Sequence, residues 1–315
     1  MLKQFKQDVL EGLSQKVKSI SSKYFYDKKG DKLFQQIMAM PEYYLTRAEM
    51  EIFSTKAKEI TNSFERGKNE PFELIELGAG DGTKTIKILR QLVNEKYLVE
   101  YIPVDISQHA LNGLKTMLKN ELPALKVRPM QGTYFNVLNK LKKRTVPKVI
   151  LFLGSNLGNL LDHEASKFLY NLGASMHKGD KLLLGLDKIK AKEIVLPAYN
   201  DKHGITREFN LNLLDRINNE LGADFNREQF EHIAYYEQKE GIAKSFIQSK
   251  ANQEVKIKAL NKTFTFKEGE KIHTEISRKY TQQIIQNIIA STDFEITQTH
   301  TDSKEYFMNI LLNKN

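Results

Sequence analysis

The segment Glu76-Leu77-Gly78-Ala79-Gly80-Asp81-Gly82 places three glycines at alternate positions. The apolar run Phe72 to Leu77 precedes them as a buried strand would, and Thr83-Lys84-Thr85-Ile86-Lys87-Ile88-Leu89 follows at helical spacing. Strand, tight turn and helix in this order suit a ligand lying against main-chain N–H groups, because glycine permits the sharp turn and carries no Cβ to hold the ligand off. A dinucleotide fingerprint requires G-x-G-x-x-G with its third glycine deeper in the helix, and a P-loop requires Gly-Lys-Ser/Thr after four intervening residues; neither fits. About one βα unit later, Tyr101-Ile102-Pro103-Val104-Asp105 reads as a second strand ending in a carboxylate, suited to accept hydrogen bonds from both hydroxyls of a ribose. Together the two segments point to a nucleoside-like ligand. Taken alone, the glycines are compatible with an ordinary βα turn.

The short E-x-G-x-G-x-G turn resembles that of S-adenosylmethionine-dependent methyltransferases. A second polar loop, Gly154-Ser155-Asn156-Leu157-Gly158-Asn159, follows the apolar run that ends in Phe152-Leu153. Its small donors and acceptors belong where a methyl acceptor would meet the donor, and Asn159 can both donate and accept, which suits a carboxylate or an amine. The plain alternative is a turn that satisfies only its own backbone. Methyltransferases of exocyclic base amines carry Asp/Asn-Pro-Pro-Tyr/Phe at this strand end, and the loop has no proline, which disfavours a nucleobase target.

The elements that must hold these loops alternate: strands at Phe72–Leu77, Leu98–Asp105, Lys126–Gly132, Lys148–Gly154 and Asp180–Leu186, separated by helices. Such alternation predicts a mainly parallel sheet covered on both faces, with ligands beyond the carboxyl ends of the strands. A closing helix and two strands, Phe294–Thr301 and Tyr306–Leu312, predict an antiparallel terminal hairpin. Residues 1–20 read as one amphipathic helix. Between Lys188 and Lys279 the βα rhythm stops in favour of helices and hairpins. The expected division is an α/β core at 60–188 and 280–315, and a smaller mixed α+β substrate-binding domain at 1–59 and 189–279. The aromatic region around Tyr26, Tyr43 and Tyr44 reads either as a satellite core or as the wall of a ligand pocket.

Composition narrows the classes. With no cysteine there are no disulfides, thiolate chemistry or cysteine-bound metal. His109, His163, His177, His203, His273 and His300 lack metal-ligand spacing, so no metal site is expected. The net charge of +9 comes from lysines interleaved with acids, without a basic tract carrying aromatics, so no nucleic-acid partner is expected. No apolar run is long enough to span a bilayer, and the start lacks a signal peptide's apolar core. A cytoplasmic monomer without membrane partners is expected.

Tyr24-Phe25-Tyr26-Asp27, Pro41-Glu42-Tyr43-Tyr44-Leu45-Thr46-Arg47-Ala48-Glu49, Glu76 to Gly80, Gly154 to Asn159, Tyr199-Asn200-Asp201 and Thr274-Glu275-Ile276-Ser277-Arg278-Lys279-Tyr280, in this order, resemble the histidine-specific N-alpha-methyltransferases of ergothioneine biosynthesis. The resemblance implies a class I methyltransferase fold, Rossmann-like and doubly wound. It implies methyl transfer from S-adenosylmethionine to the α-amine of L-histidine, up to the trimethylated betaine hercynine, with S-adenosylhomocysteine as the other product. It further implies that Asn159, Tyr199 and Tyr43 hold the amino acid's ammonium and carboxylate at the reacting centre, and that Glu275 and Ser277 hold the imidazole. Tyr26, Gly78, Gly80, Lys84 and Asp105 would line the donor pocket, with Thr133-Tyr134 standing where relatives often have Asp-Phe near the adenine; Tyr134 keeps a ring for stacking. His300 stands where relatives often carry tryptophan. From the residues themselves, Glu275 and Ser277 alternate along a strand and share a face. A carboxylate facing a cleft needs a basic partner, either the imidazole or a lysine or arginine of the protein. Other acceptors remain open: another amino acid or small aromatic amine, a nucleic acid, or none at all in a non-catalytic binding protein.

Overall fold

A computed structural model describes residues 2–315. Its strands in chain order are β1 Phe72–Leu77, β2 Val99–Asp105, β3 Lys126–Val127, β4 Met130–Gln131, β5 Lys148–Phe152, β6 Lys181–Asp187, β7 Phe230–Glu237, β8 Ile242–Ser249, β9 Gln253–Ile257, β10 Lys262–Phe266, β11 Lys271–Arg278, β12 Phe294–Thr301 and β13 Phe307–Lys314. The chain divides into two units, Met1–Tyr44 with Lys190–Ser277, and Leu45–Ile189 with Arg278–Asn315.

The second unit is built on one sheet in the order β12-β13-β6-β5-β1-β2-β3, with β4 also paired to β2. β1 runs parallel to β2 and β5, and β5 parallel to β6, whereas β13 is antiparallel to both β6 and β12. The chain leaves β1 for β2 and β3, then returns to the opposite side of β1 to lay down β5. That reversal opens a crevice at the carboxyl ends of β1 and β5, the place where doubly wound sheets take ligands. β1 and β5 are buried along their whole length, as strands covered on both faces must be. Ile75, Ile102, Ile150 and Leu184 form the core with Leu169 and Ile288 of the covering helices Asp162–Gly173 and Gln282–Ile289. Ser107 and Thr281 cap helices by accepting from Ala110 N and Ile284 N. The doubly wound sheet and its terminal antiparallel hairpin therefore form as the sequence predicts. Among the described residues no helix is long and apolar enough to cross a membrane.

The first unit joins the three-stranded sheet β11-β8-β7, the antiparallel hairpin β9-β10 and the helix Ile205–Leu221. Phe209, Leu213 and Ile217 of that helix share a core with Phe5, Val9 and Leu13 of the helix Leu2–Ser14, and with Phe230, Ile247 and Ile272 of the strands. Asp201 accepts from Ile205 N at 2.9 Å and Thr206 N at 2.8 Å at the helix start. Burial opposes its charge, but these donors prevail and hold its carboxyl below the usual range.

Three expectations are corrected. The strand read as Lys126–Gly132 is two short pieces, because Pro129 between them has no N–H to give the ladder. The amphipathic helix stops at Ser14: the chain turns so that Ser19 N donates to Gly12 O, and the segment Lys18–Ile20 pairs alongside β11 at His273. Residues 45–59, expected in the smaller domain, belong to the sheet unit, where Glu49 of the helix Tyr44–Ser63 bonds to residues of the sheet and its loops.

Candidate active site

In the second unit, the turn after β1 gives its three glycines three different reasons to be glycine. All have positive φ, at 79°, 54° and 69° for Gly78, Gly80 and Gly82. A Cβ on Gly82 would fall 2.3 Å from Leu114 Cδ1, so packing excludes it, and one on Gly78 would fall 2.9 Å from the Tyr134 hydroxyl and 3.1 Å from Asn156 Nδ2. A Cβ on Gly80 would meet nothing within 4 Å, so this backbone faces open space at the strand ends. The main-chain donors are turned inward: Gly78 N and Ala79 N bond to Val104 O at 2.8 and 3.1 Å, and Gly80 N bonds to Asp105 Oδ2 at 3.1 Å. The expected use of these N–H groups to receive a ligand is thus corrected. The turn offers bare backbone and no anion cradle, which suits a nucleoside better than a phosphate.

Asp105 ends β2 with both carboxylate oxygens oriented, Oδ1 by Ser107 N at 2.8 Å and Oδ2 by Gly80 N. Each oxygen keeps a lone pair, so the group is already aimed as an acceptor for two further donors. Beneath the turn, Glu76 is fully buried and accepts from Thr85 Oγ1 at 2.7 Å and from the Tyr101 hydroxyl, which tie β1 to β2 and to the start of the helix. Burial pushes its carboxyl up to about 7, against the pull of those donors and of Lys84. Lys84 itself forms an ion pair with the buried Glu49.

Thr133 is exposed at the start of the helix Tyr134–Leu141, and Tyr134 packs edge-on against Phe152, ring centroids 5.5 Å apart, with its hydroxyl beside Gly78. Burial and the nearby Asp105 raise the pKa of that phenol, which stays protonated. Beyond β5, Ser155 adopts the left-handed conformation at φ 59°; its hydroxyl accepts from Asp187 N at 3.0 Å and its own N–H donates to Gly185 O at 3.1 Å. The loop is thereby fixed to β6, with Asn156 turned toward Gly78 and Asn159 exposed. Gly78, Lys84, Asp105, Tyr134 and the 154–159 loop are thus gathered at the ends of β1, β2 and β5.

The first unit carries Tyr43, Tyr199, Glu275 and Ser277, and also Tyr26. Tyr199 is clamped at both ends: its hydroxyl and Ser277 Oγ share a hydrogen bond of 2.8 Å, and its carbonyl accepts from His232 Nε2 at 2.9 Å. Burial lowers the pKa of His232 and keeps the ring neutral. On β11 the alternation holds. Thr274 points into the unit, its hydroxyl 3.0 Å from both Asn210 Oδ1 and Ser245 O, which leaves Glu275 and Ser277 on the other face with His273. Tyr26 and Tyr43 both pack edge-on against Phe34, at 5.5 and 6.3 Å, and Tyr26 also meets Phe209 at 5.6 Å. Their rings therefore belong to an aromatic cluster joined to the core of the unit. Asp27 fixes the preceding turn by accepting from Gly30 N at 2.7 Å and Asn212 Nδ2 at 3.0 Å.

Two residues at the strand ends escaped the sequence reading as individuals. Asn156 was visible only as part of its loop. Glu49 appeared only as the last residue of the segment from Pro41 that carries the resemblance, in a polar helix where a glutamate reads as solvated; from the residues themselves its signal was indirect, the glycine interrupting Leu182-Leu183-Leu184-Gly185-Leu186, since a glycine within a strand marks a close approach.

The model of a SAM-dependent, histidine-specific methyltransferase family matches residues 5–314. The chain is 33% identical over 297 residues to histidine N-alpha-methyltransferase of Mycobacterium tuberculosis, covering 94% of this chain and 91% of that protein. The enzyme of the same description from Mycolicibacterium smegmatis is also 33% identical, over 296 residues, covering 94% of this chain and 89% of the relative. N-methyltransferase imqF of Aspergillus flavus is 30% identical over 307 residues, with 94% and 81% covered. With the match spanning both units and every motif quoted above, the chain belongs to the SAM-dependent histidine-specific methyltransferase family.

Proposed function

We propose that this chain methylates the α-amino nitrogen of L-histidine, in repeated turns, to the trimethylated betaine hercynine, as a cytoplasmic enzyme acting on a free amino acid. The observation that carries the reading is the pair Glu275 and Ser277 on one face of β11, with Ser277 bonded to Tyr199, within a chain that belongs to a histidine-specific family. A carboxylate and a hydroxyl two residues apart on a strand supply an acceptor and a second polar partner for the two nitrogens of an imidazole. Indole and phenyl side chains offer that carboxylate no basic nitrogen.

S-adenosylmethionine supplies, when bound, a methyl on a sulfonium that already carries its leaving group, S-adenosylhomocysteine. The turn at Gly80 and the oriented carboxylate of Asp105 fit its adenosine, and Lys84 is the nearby cation. Activation of the donor leaves alignment as the main task of the protein. In this reading Asn159, Tyr43 and Tyr199 hold the amino acid's polar end so that the nitrogen lone pair points along the line of transfer. The nitrogen must react as the neutral amine, and a neighbouring sulfonium lowers its pKa by like-charge repulsion, so its proton leaves to water or to a tyrosine hydroxyl. Fixing Tyr199 from both ends keeps the contact in place as each N–H is replaced by methyl.

A second reading, an acceptor other than histidine, is favoured by one observation, the similarity to an N-methyltransferase whose description names no amino acid. Isothermal titration of the S-adenosylhomocysteine-loaded protein with L-histidine, L-tryptophan and a short RNA separates the readings. Histidine alone is expected to bind. Binding of tryptophan or RNA without histidine would overturn the proposal.

A further inference from the structure

Glu49 joins four parts of the second unit through one buried carboxylate. Its Oε2 pairs with Lys84 Nζ and accepts from Gly154 N at 3.0 Å, while Oε1 accepts from Asn309 Nδ2 at 3.0 Å. Oε1 lies so close to β6 that a Cβ on Gly185 would fall 2.0 Å from it. The glutamate thus ties the turn after β1, the loop after β5, β6 and β13 to the helix Tyr44–Ser63. Its side chain is fully buried, whereas that of Lys84 keeps 19% exposure. The ammonium therefore has one side against Glu49 and another open beside Gly154, where a Cβ would stand 3.6 Å from Nζ.

A lysine that served only to neutralise Glu49 would have no reason to remain open at the ligand end of the crevice. An ammonium has three N–H donors, and its pairing with a buried carboxylate restricts the direction of the remaining ones. The methyl donor carries one anionic group, the carboxylate of its amino-acid portion, and that group is what a fixed cation at this place would recognise. We propose that Glu49 is a positioning residue for the methyl donor, holding the Lys84 ammonium aimed from beside Gly154 at the donor's carboxylate. The inference rests on the reading of S-adenosylmethionine as donor, and Glu49 itself touches neither substrate.

The test is titration of S-adenosylhomocysteine into the unaltered enzyme, Glu49→Gln, Lys84→Met and the double variant. Glu49→Gln is expected to weaken binding by about tenfold or more, the worth of one charge-assisted hydrogen bond. In the Lys84→Met background the glutamine should add little further loss, and the KM for histidine should change far less than that for the donor. A role in stability alone predicts the opposite: a lower melting temperature, unchanged affinity in the folded variant, and independent losses in the double variant. Either unchanged affinity or independent losses overturns the inference. Failure of the unaltered enzyme to bind overturns the donor reading first and the inference with it. Should Glu49→Gln not fold, the unaltered enzyme decides: with 15N-labelled lysine, the Lys84 ammonium resonance must shift on adding S-adenosylhomocysteine, and an unmoved resonance overturns the proposal.

Discussion

Replacing Gly80 and Gly82 by alanine, one at a time, separates the backbone surface kept for a ligand from the backbone surface used for packing. Both positions have positive φ, 54° and 69°, so each alanine pays a left-handed backbone cost of about 1–2 kcal/mol. At Gly82 the new Cβ would lie 2.3 Å from Leu114 Cδ1 in the ligand-free protein, adding about 1–3 kcal/mol of overpacking. At Gly80 it meets nothing within 4 Å, and the stability loss should end with the backbone term. Binding should rank the other way. The Gly80 methyl occupies the space against which the adenosine is read to lie, and a misfit of about 1–3 kcal/mol there corresponds to roughly 5- to 150-fold in Kd. Differential scanning calorimetry without ligand and titration with S-adenosylhomocysteine give the two quantities on the same samples. Gly80→Ala is expected to be the more stable variant and the weaker binder. If it binds as tightly as the unaltered chain, or if the two variants lose stability and affinity in the same proportion, the assignment of the turn is refuted.

Lys279→Met removes the ammonium 2.8 Å from Asp187 with both side chains fully buried, and should lower stability by about 3–5 kcal/mol in denaturant titration; a loss below about 1 kcal/mol would contradict a buried ion pair there. Glu275→Ala should raise the Kd for histidine far more than that for S-adenosylhomocysteine, and equal losses of the two would remove Glu275 from the substrate site. The carboxyl of Glu76 rises on folding from 4.5 to about 7, so the folded state binds the extra proton between these values. Its contribution to stability is therefore full below about pH 4.5 and is lost as pH rises through about 7. Glu76→Gln should remove this fall, so its unfolding free energy relative to the unaltered chain, read by denaturant titration, should climb from pH 5 to pH 8 by an amount on the order of 2–3 kcal/mol; parallel profiles would contradict it.

Legibility followed the locality of the cause. β1 and β12 form over the residues that their apolar patterns mark, because turn residues bound each run on both sides. The carboxyl-end loops were legible for a related reason: in a doubly wound sheet, alternation alone fixes which ends gather. The helix predicted over residues 1–20 failed beyond Ser14 because pairing of Lys18–Ile20 with β11 is a contact across about 250 residues of chain, with no local signature. The role of Glu49, quoted only within the segment that carries the resemblance, was hidden in the same way. Its helix places it by tertiary contact with Gly154 and Asn309, and nothing in its own neighbourhood distinguishes it from Glu51, which lies two residues on and accepts from Ser303 N at an exposed position. The inward use of the Gly78, Ala79 and Gly80 N–H groups was also unreadable, since glycine spacing fixes where a turn occurs and leaves open which way its donors point.

Mass analysis of L-histidine after incubation with the protein and S-adenosylmethionine bears most directly on the central claim. Histidine carrying three methyl groups on its α-nitrogen is expected, with S-adenosylhomocysteine released in step. Unmodified histidine beside a methylated amine of another kind, or methylation on the imidazole ring, would contradict it.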